Sequence, residues 1–194
     1  GKVGQNVTVA LRVPEGYVLD SSHQVPVTLT LQSSNADINV YLKHQHMTVS
    51  GNDFHSKGDN INGTSLTWPA GVDLHDLRKD RGRLITIEYP NGKQDRVTQS
   101  VTLTRSADVD IISGHVVYGS WSTGKLEAYT VPTVAGYQPS QSVINGVDVN
   151  DTNKLDDVTI TYQAADATVN VVYQSVDGDA IVKTVPLSGA VGQT

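Results

Sequence analysis

The chain has 194 residues, 14 basic and 20 acidic side chains, a formal charge of −6 and no cysteine. This excludes a disulfide framework, a thiolate metal site and a cysteine nucleophile, and an acidic domain without a basic stripe lacks the footprint of a nucleic-acid binder. With 28 Val, 9 Ile and 19 Thr against three Glu, stiff β-branched side chains favour pleated strands over helices, so the expected class is mostly β, with some helix in the α+β sense.

Alternating apolar residues mark the first strands: Val7, Val9, Leu11 and Val13, then Val25, Val27, Leu29 and Leu31, then Ile38, Val40 and Leu42. Pro14-Glu15-Gly16 punctuates the first set, and Ser33-Ser34-Asn35 between the last two suits a hairpin turn. Residues 48–70 lose the pattern in Gly- and Asn-rich segments and read as a linker or long irregular connection. Residues 72–79 form the one credible helix, with Val72, Leu74 and Leu77 apolar, Asp73 and Asp76 early and Arg78-Lys79 late; it is too short to be stable without packing.

Alternation resumes at Ile85, Ile87 and Tyr89, and Pro90-Asn91-Gly92-Lys93 predicts a turn into a return strand within 97–105. Further strands are expected at 116–118, around 128–131, at 147–149 and at 158–162. A last pair covers 169–173 and 181–185, joined by Asp177-Gly178-Asp179. No βαβ crossover is visible. No stretch approaches the run of about 18 apolar residues that a membrane-spanning helix needs, and no amino-terminal apolar block reads as a signal peptide, so membrane insertion is not expected.

Repetition is the most informative feature. Gly1-Lys2-Val3-Gly4-Gln5-Asn6 is nearly restated by Gly189-Ala190-Val191-Gly192-Gln193-Thr194, an offset of 188 residues, which suggests one period of an array. A weaker echo joins Gly16-Tyr17 and Tyr41 to Gly136-Tyr137 and Tyr162. Two related β units per period follow, with the outer one cut in two. The two incomplete ends are expected to pair, within a chain or between molecules, because each alone leaves an open sheet edge and an apolar face.

Leu84-Ile85-Thr86-Ile87-Glu88-Tyr89-Pro90-Asn91-Gly92, the stretch from Val97-Thr98-Gln99 to Arg105, Ser113-Gly114-His115-Val116-Val117-Tyr118-Gly119-Ser120-Trp121 and Val131-Pro132-Thr133-Val134-Ala135-Gly136-Tyr137 follow one another in the order seen in mucus-binding (Mub) repeats of lactic acid bacteria, and the chain resembles their second module there. Trp68-Pro69-Ala70-Gly71-Val72 resembles the approach to that module, and the two ends resemble the first, MucBP-type module cut in two. On this resemblance residues 1–46 are the carboxy-terminal part of a MucBP-like module, 47–82 a linker with the short helix, 83–163 the second-type module and 164–194 the amino-terminal part of the next MucBP-like module. The resemblance implies elongated, tandem β-grasp (ubiquitin-like) modules in an extracellular adhesin, anchored to the bacterial cell wall in the full-length protein. It also implies mucin glycans and glycoproteins as partners, and immunoglobulin binding for some members. It transfers no glycan-contact residue.

Chemistry-bearing clusters are few. His44-Gln45-His46, with His55 nearby, has the alternate spacing of strand metal ligands but no third ligand at motif spacing, which favours solvated histidines. Their protonation near pH 6 could still tune adhesion. Asp148, Asn150, Asp151, Asn153, Asp156 and Asp157 crowd one loop. Of these, Asp148, Asn150, Asp151 and Asp156 are the candidate Ca²⁺ ligands, yet EF-hand spacing fails because its glycine position is Asn153 and its final position Thr159. Turn-forming Asx residues are the default and no cofactor is expected.

No nucleophile elbow, zincin motif or phosphate loop is present, and only Glu15, Glu88 and Glu127 are glutamates, so an enzyme is not expected. An adhesin needs exposed aromatic faces for sugars. Trp68 is the candidate ligand-binding residue, although a tryptophan beside proline ahead of a short helix more often packs as a local plug. Trp121, Tyr137 and Tyr162 are expected in the core. The function expected is a non-enzymatic mucin-binding repeat acting by multivalency, with immunoglobulin capture or a purely structural stalk as alternatives.

Overall fold

The computed structural model describes residues 1–26, 28–34, 37–178 and 181–190. Val27 of the second alternating set, Asn35 of the turn after it, Asp179 of the last turn and residues 191–194 of the terminal repeat lie outside the described residues.

The described chain is mostly β with one short helix. In order its elements are β1 (Asn6–Thr8), β2 (Tyr17–Leu19), β3 (Thr28–Thr30), β4 (Leu42–His44), β5 (His46–Ser50), α1 (Leu74–Leu77), β6 (Arg78–Glu88), β7 (Gln94–Thr104), β8 (Ser106–Asp110) and β9 (Val116–Tyr118). These are followed by β10 (Gly124–Leu126), β11 (Tyr129–Thr130), β12 (Tyr137–Pro139), β13 (Val143–Ile144), β14 (Val147–Val149), β15 (Val158–Ile160), β16 (Tyr162–Ala164), β17 (Asp166–Gln174) and β18 (Ile181–Ala190). They form two compact units, Gly1–Lys79 with Leu103–Ser122 and Asp80–Thr102 with Thr123–Thr194.

In the first unit β5, β8 and β9 make an antiparallel sheet, with Met47 opposite Val109 and Val49 opposite Ala107. Alternation puts Val49, Ala107 and Val109 on the buried face. Ile61, Trp68, Val72, Leu77 and Ile111 complete this core. The stretch read as a linker opens with the end of β5, where Val49 is buried, and is irregular after it, with Ile61 and Trp68 buried as well. Gly and Asn supply the turns, while the two large apolar side chains dock the segment on the sheet.

The helix is shorter than 72–79. Asp73 caps it, accepting bonds from the amides of His75 and Asp76, and the Asp76 carboxylate reaches back to the Asp73 amide. After four helical residues the chain is already extended at Arg78, because 78–88 belong to β6 and the sheet ladder satisfies their backbone groups instead.

In the second unit β6 and β7 form the expected hairpin, turned at Gly92 with φ 81° and closed by the Tyr89 amide on the Lys93 carbonyl (2.9 Å). The expected return strand begins earlier, at Gln94. A third strand, β15, joins parallel to β6, with Val158 opposite Ile85 and Ile160 opposite Ile87. The core is Ile85, Ile87, Val131, Ile144 and Ile160. Short antiparallel pairs β10–β14, β11–β13 and β12–β16 complete the unit, and among the described residues β17 pairs with β18 alone.

The first three alternating sets shorten into fragments, and the hairpin expected around Ser33-Ser34 does not form: β3 pairs with β1 and β4 with β2. Each of these strands finds its antiparallel partner one element further away along the chain, so pairing with the immediate sequence neighbour is lost.

The weak internal echo is a structural repeat at a constant offset of 120 residues. Tyr17 donates to the Pro14 carbonyl and Tyr137 to that of Val134; Asp20 donates to Tyr41 and Ser140 to Thr161; Gln45 donates to Gly16 and Ala165 to Gly136. Leu19 opposes Leu42 as Pro139 opposes Tyr162. Tyr162 therefore occupies the place of Leu42, and the counterpart of Tyr41 is Thr161, one residue from the match that the tyrosines suggest. Gly16 (φ 80°) and Gly136 (φ 79°) hold the same left-handed turn ahead of the paired strands.

Candidate functional site

A concave site lies in the first unit. Met47 and Val49 of β5, with Asp53, His55, Asn60, Ile61, Asn62 and Trp68 of the following loop, line a cleft of about 250 Å³, just below the range usual for small-ligand pockets. Its geometry follows from the local fold. The His55 amide donates to the Val72 carbonyl (2.9 Å), the Trp68 amide to that of Asp59 (2.9 Å) and the Gly58 amide to that of Trp68 (3.0 Å), which clamps the loop into a platform. On it the His55 imidazole lies flat against the Trp68 indole, centroids 4.2 Å apart and planes 3° from parallel.

Trp68 is 5% exposed. As a freely exposed stacking anchor it is corrected: it packs as the plug, because a large apolar ring beside Pro69 gains more from joining the Val49–Val109 core than from water. It remains part of the cleft wall, covered by His55. The polar rim consists of Asp53, whose carboxylate lies 3.4 Å from His55 Nε2, and of the exposed Asn60 and Asn62, whose side-chain amides make no hydrogen bond within the described chain. Paired rings with unspent carboxamides and a carboxylate around them can hold a small polyhydroxylated ligand. Asn60 and Asn62 were legible only as turn residues in the sequence.

A second, more open groove of about 280 Å³ lies in the other unit, between Tyr89, Pro90, Asn91, Val134 and Tyr137. Two of its polar groups bond within the chain. The Tyr89 hydroxyl donates to Asp95 (2.9 Å), which raises its pKa, and the Asn91 side-chain oxygen accepts from the Lys93 amide (3.0 Å). Tyr162, expected in the core, packs against it half-buried and donates to the Pro132 carbonyl (2.5 Å); Tyr137 is half-buried at the groove. Trp121 is also half-buried, with the Lys79 ammonium 4.5 Å and the Arg105 guanidinium 4.7 Å from its ring centre. Arg105 also lies 3.6 Å over Tyr118. Cations cover this indole where core packing was expected.

His44 and His46 do not converge with His55. They form cross-strand pairs, His44 Nδ1 with Asp110 (2.8 Å) and His46 Nδ1 with Asp108 (2.6 Å). The Asp108 hydrogen bond raises the His46 pKa above its ordinary value. Asp110 is held well below the usual carboxylate range by the side chain and amide of Ser113, then by His44 and the Ile112 amide. A histidine whose pKa is raised on folding contributes stability fully below its unfolded pKa and loses it as pH rises through the folded value. His46→Gln is therefore expected to remove part of the fall in melting temperature between about pH 6 and pH 8; superimposable profiles would show that the pair carries no linkage.

The Asx-rich loop places its oxygens on its own backbone. Asn150 Oδ1 accepts from the amides of Thr152 (2.9 Å) and Asn153 (2.7 Å), and Asn153 Oδ1 from the amide of Asn150 (2.9 Å). Asp157 accepts from Leu84 (2.7 Å), Asp156 pairs with Lys154, and Arg81 donates to the carbonyls of Asp151 (2.7 Å) and Asn153. Among the described residues no group of three His, Asp or Glu is arranged to hold a metal, so Asp148, Asn150, Asp151 and Asp156 are not brought together as a ligand set.

No curated protein matches the chain. Among solved structures it is similar to the type 2 repeat of the mucus-binding protein MUB from Lactobacillus reuteri, at 26% identity over 77% of this chain and 76% of that one, with a TM-score of 0.44. It is also similar to the mucin-binding domain of Spr1345 from Streptococcus pneumoniae, at 21% identity over 45% of this chain and 94% of that one, TM-score 0.39. A third is the MucBP domain of an adhesion protein from Pediococcus pentosaceus, at 28% identity over 43% and 98%, TM-score 0.32. The Muc B2-like domain family matches over residues 72–166, the stretch that holds α1, the β6–β7 hairpin and the parallel strand added to it.

Proposed function

We propose that the chain is a non-enzymatic repeat of an extracellular bacterial surface adhesin that binds mucin glycoproteins, with its glycan contact at the Asp53–His55–Asn60–Asn62 cleft. One observation carries the site: two carboxamides without internal partners stand around a stacked His55–Trp68 pair, whereas in the other groove the Tyr89 hydroxyl and the Asn91 side-chain oxygen bond within the chain and no stacked ring pair lines the walls. The family match supports the mucin reading; the cleft precedes the matched residues. A shallow site of this size holds one terminal sugar weakly, and tandem copies multiply such contacts through effective concentration. Pairing of the incomplete end modules between copies belongs to the same reading.

Surface binding to intact and deglycosylated mucin, with Asn60→Ala/Asn62→Ala beside the unchanged chain, tests it. Losing two hydrogen bonds of about 0.5–1.5 kcal/mol each predicts roughly a tenfold weaker Kd. Both residues are exposed, so melting should stay the same. Equal binding by the double variant would move the contact elsewhere, and binding indifferent to deglycosylation would remove the glycan reading. Immunoglobulin capture is the second reading, favoured by the outer edge of β17, which has no strand neighbour among the described residues. Failure of single and multiple copies alike to hold mucin or immunoglobulin would leave a stalk.

A further inference from the structure

Asparagine is among the chemically labile residues, and most so ahead of glycine, where no Cβ shields the backbone nitrogen that attacks its side chain. The chain has three such pairs, Asn62-Gly63, Asn91-Gly92 and Asn145-Gly146. By sequence they are equivalent; by structure they are not.

At Asn91-Gly92 both reacting groups are occupied. The Gly92 amide donates to the Tyr89 carbonyl (3.0 Å), and Asn91 Oδ1 accepts from the Lys93 amide (3.0 Å). At Asn145-Gly146 the backbone is fixed between β13 and β14. The Asn145 carbonyl accepts from Arg83 Nη2 (2.8 Å), and a Cβ on Gly146 would stand 2.9 Å from the Leu126 carbonyl oxygen and 3.1 Å from the Ala128 nitrogen, so this peptide has no room to turn. Asn62-Gly63 lacks both restraints. It sits at the tip of the loop between the bridged residues Asn60 and Thr67, in a turn closed by the Thr64 amide on the Ile61 carbonyl (3.0 Å). Neither the Asn62 carboxamide nor the Gly63 amide has a hydrogen-bond partner within the described chain. Asn62 is exposed, and nothing lies within 4 Å of the place a Cβ on Gly63 would take.

We propose that Asn62 is a site of spontaneous covalent modification and that its conversion weakens ligand binding in the cleft it borders. The Gly63 nitrogen forms a bond to the Asn62 side-chain carbonyl carbon while the bond from that carbon to the amide nitrogen breaks, and the proton of the Gly63 amide leaves with that nitrogen as ammonia. Water then opens the cyclic imide at either carbonyl, leaving aspartate or isoaspartate. The net exchange is one water for one ammonia, with no oxidant or other reagent. A group that only accepts hydrogen bonds thereby replaces one with two N–H donors, and a second negative charge joins Asp53 on the rim. Isoaspartate also lengthens the main chain by one carbon inside the segment that the Ile61 amide closes on the Leu66 carbonyl (2.9 Å). The effect on affinity rests on the reading of this cleft as the glycan contact; the conversion itself does not.

The test is peptide mapping by mass spectrometry of the whole chain aged at mildly alkaline pH, once folded and once in urea. Asn62 should convert roughly tenfold faster than Asn91 and Asn145 in the folded chain, and the three rates should converge in urea, where only the shared Asn-Gly chemistry remains. Asn91 or Asn145 keeping pace with Asn62 in the folded chain would overturn the proposal, as would an Asn62 that stays intact while the chain in urea is converted. The aged folded chain and Asn62→Asp, which installs one product, should both hold mucin with a Kd raised roughly fivefold. An unchanged Kd in both, while Asn60→Ala/Asn62→Ala still weakens binding, refutes the effect on the cleft. An unchanged Kd in all three refutes the glycan reading of the cleft and that effect with it. Absence of mucin binding by the fresh chain refutes the adhesin reading alone, since the order of rates is read from masses and needs no ligand.

Discussion

Ile87→Ala is expected to destabilise the second unit by about 2–5 kcal/mol, the range for emptying a fully buried aliphatic site. Ile87 is 1% exposed, opposes Ile160 across the parallel β6–β15 pair and shares a core with Ile85, Val131, Ile144 and Ile160. Transfer of the lost methylenes accounts for roughly half of the effect and the cavity for the rest, because strands held in a ladder collapse poorly around a gap. Both tryptophans, Trp68 and Trp121, lie in the first unit. Urea unfolding followed by circular dichroism should therefore show the shift of the second unit, with indole fluorescence reporting the first. A change below about 1 kcal/mol would mean that this core is not what holds the unit together.

Gly82→Ala should cost about 1–3 kcal/mol, although the same exchange in an open strand stabilises by about 0.4–1 kcal/mol through the unfolded chain. Gly82 has no left-handed backbone angle; space decides the sign. A Cβ there would stand 2.3 Å from the Gln99 carbonyl oxygen and 3.2 Å from the Ser100 Cα, both backbone atoms of the facing strand β7. Relief requires β6 and β7 to part where they carry the hairpin. Differential scanning calorimetry would register the loss as a lower midpoint; a rise would show that the strands separate at no cost.

Chain-order reading located the β6–β7 hairpin closely because its turn is local chemistry: Asn91-Gly92 sets the angle and Ile85, Ile87 and Val97 alternate around it. It also found β9 and β14 at their observed bounds. It missed β2, β5, β8, β10, β12, β13 and β16, of two to five residues each. Strands this short carry too few residues for a period to register, and a partner far along the chain holds them in place. The helix contracted for a related reason, since Arg78 and Lys79 suit a helix end locally yet serve a strand globally.

The candidate cleft was half legible. Trp68 was singled out, but its neighbour in space, His55, had been grouped with His44 and His46, because spacing alone suggested ligands on one strand. Whether Asn60 and Asn62 hold a turn together or stand free depends on which backbone groups lie nearby, and no pattern in a single chain encodes that.

By itself the sequence determined the β-rich class, the acidic cysteine-free surface, the central hairpin, the likeness to mucus-binding repeats and the existence of an internal echo, all of which follow from composition and short-range order. Tertiary structure alone decided the parallel partner of β6, the burial of Trp68, the partners of His44 and His46 and the exact offset of the echo. These depend on contacts between residues far apart in the chain, where the free energy of burial and of pairing a distant edge outweighs local preference.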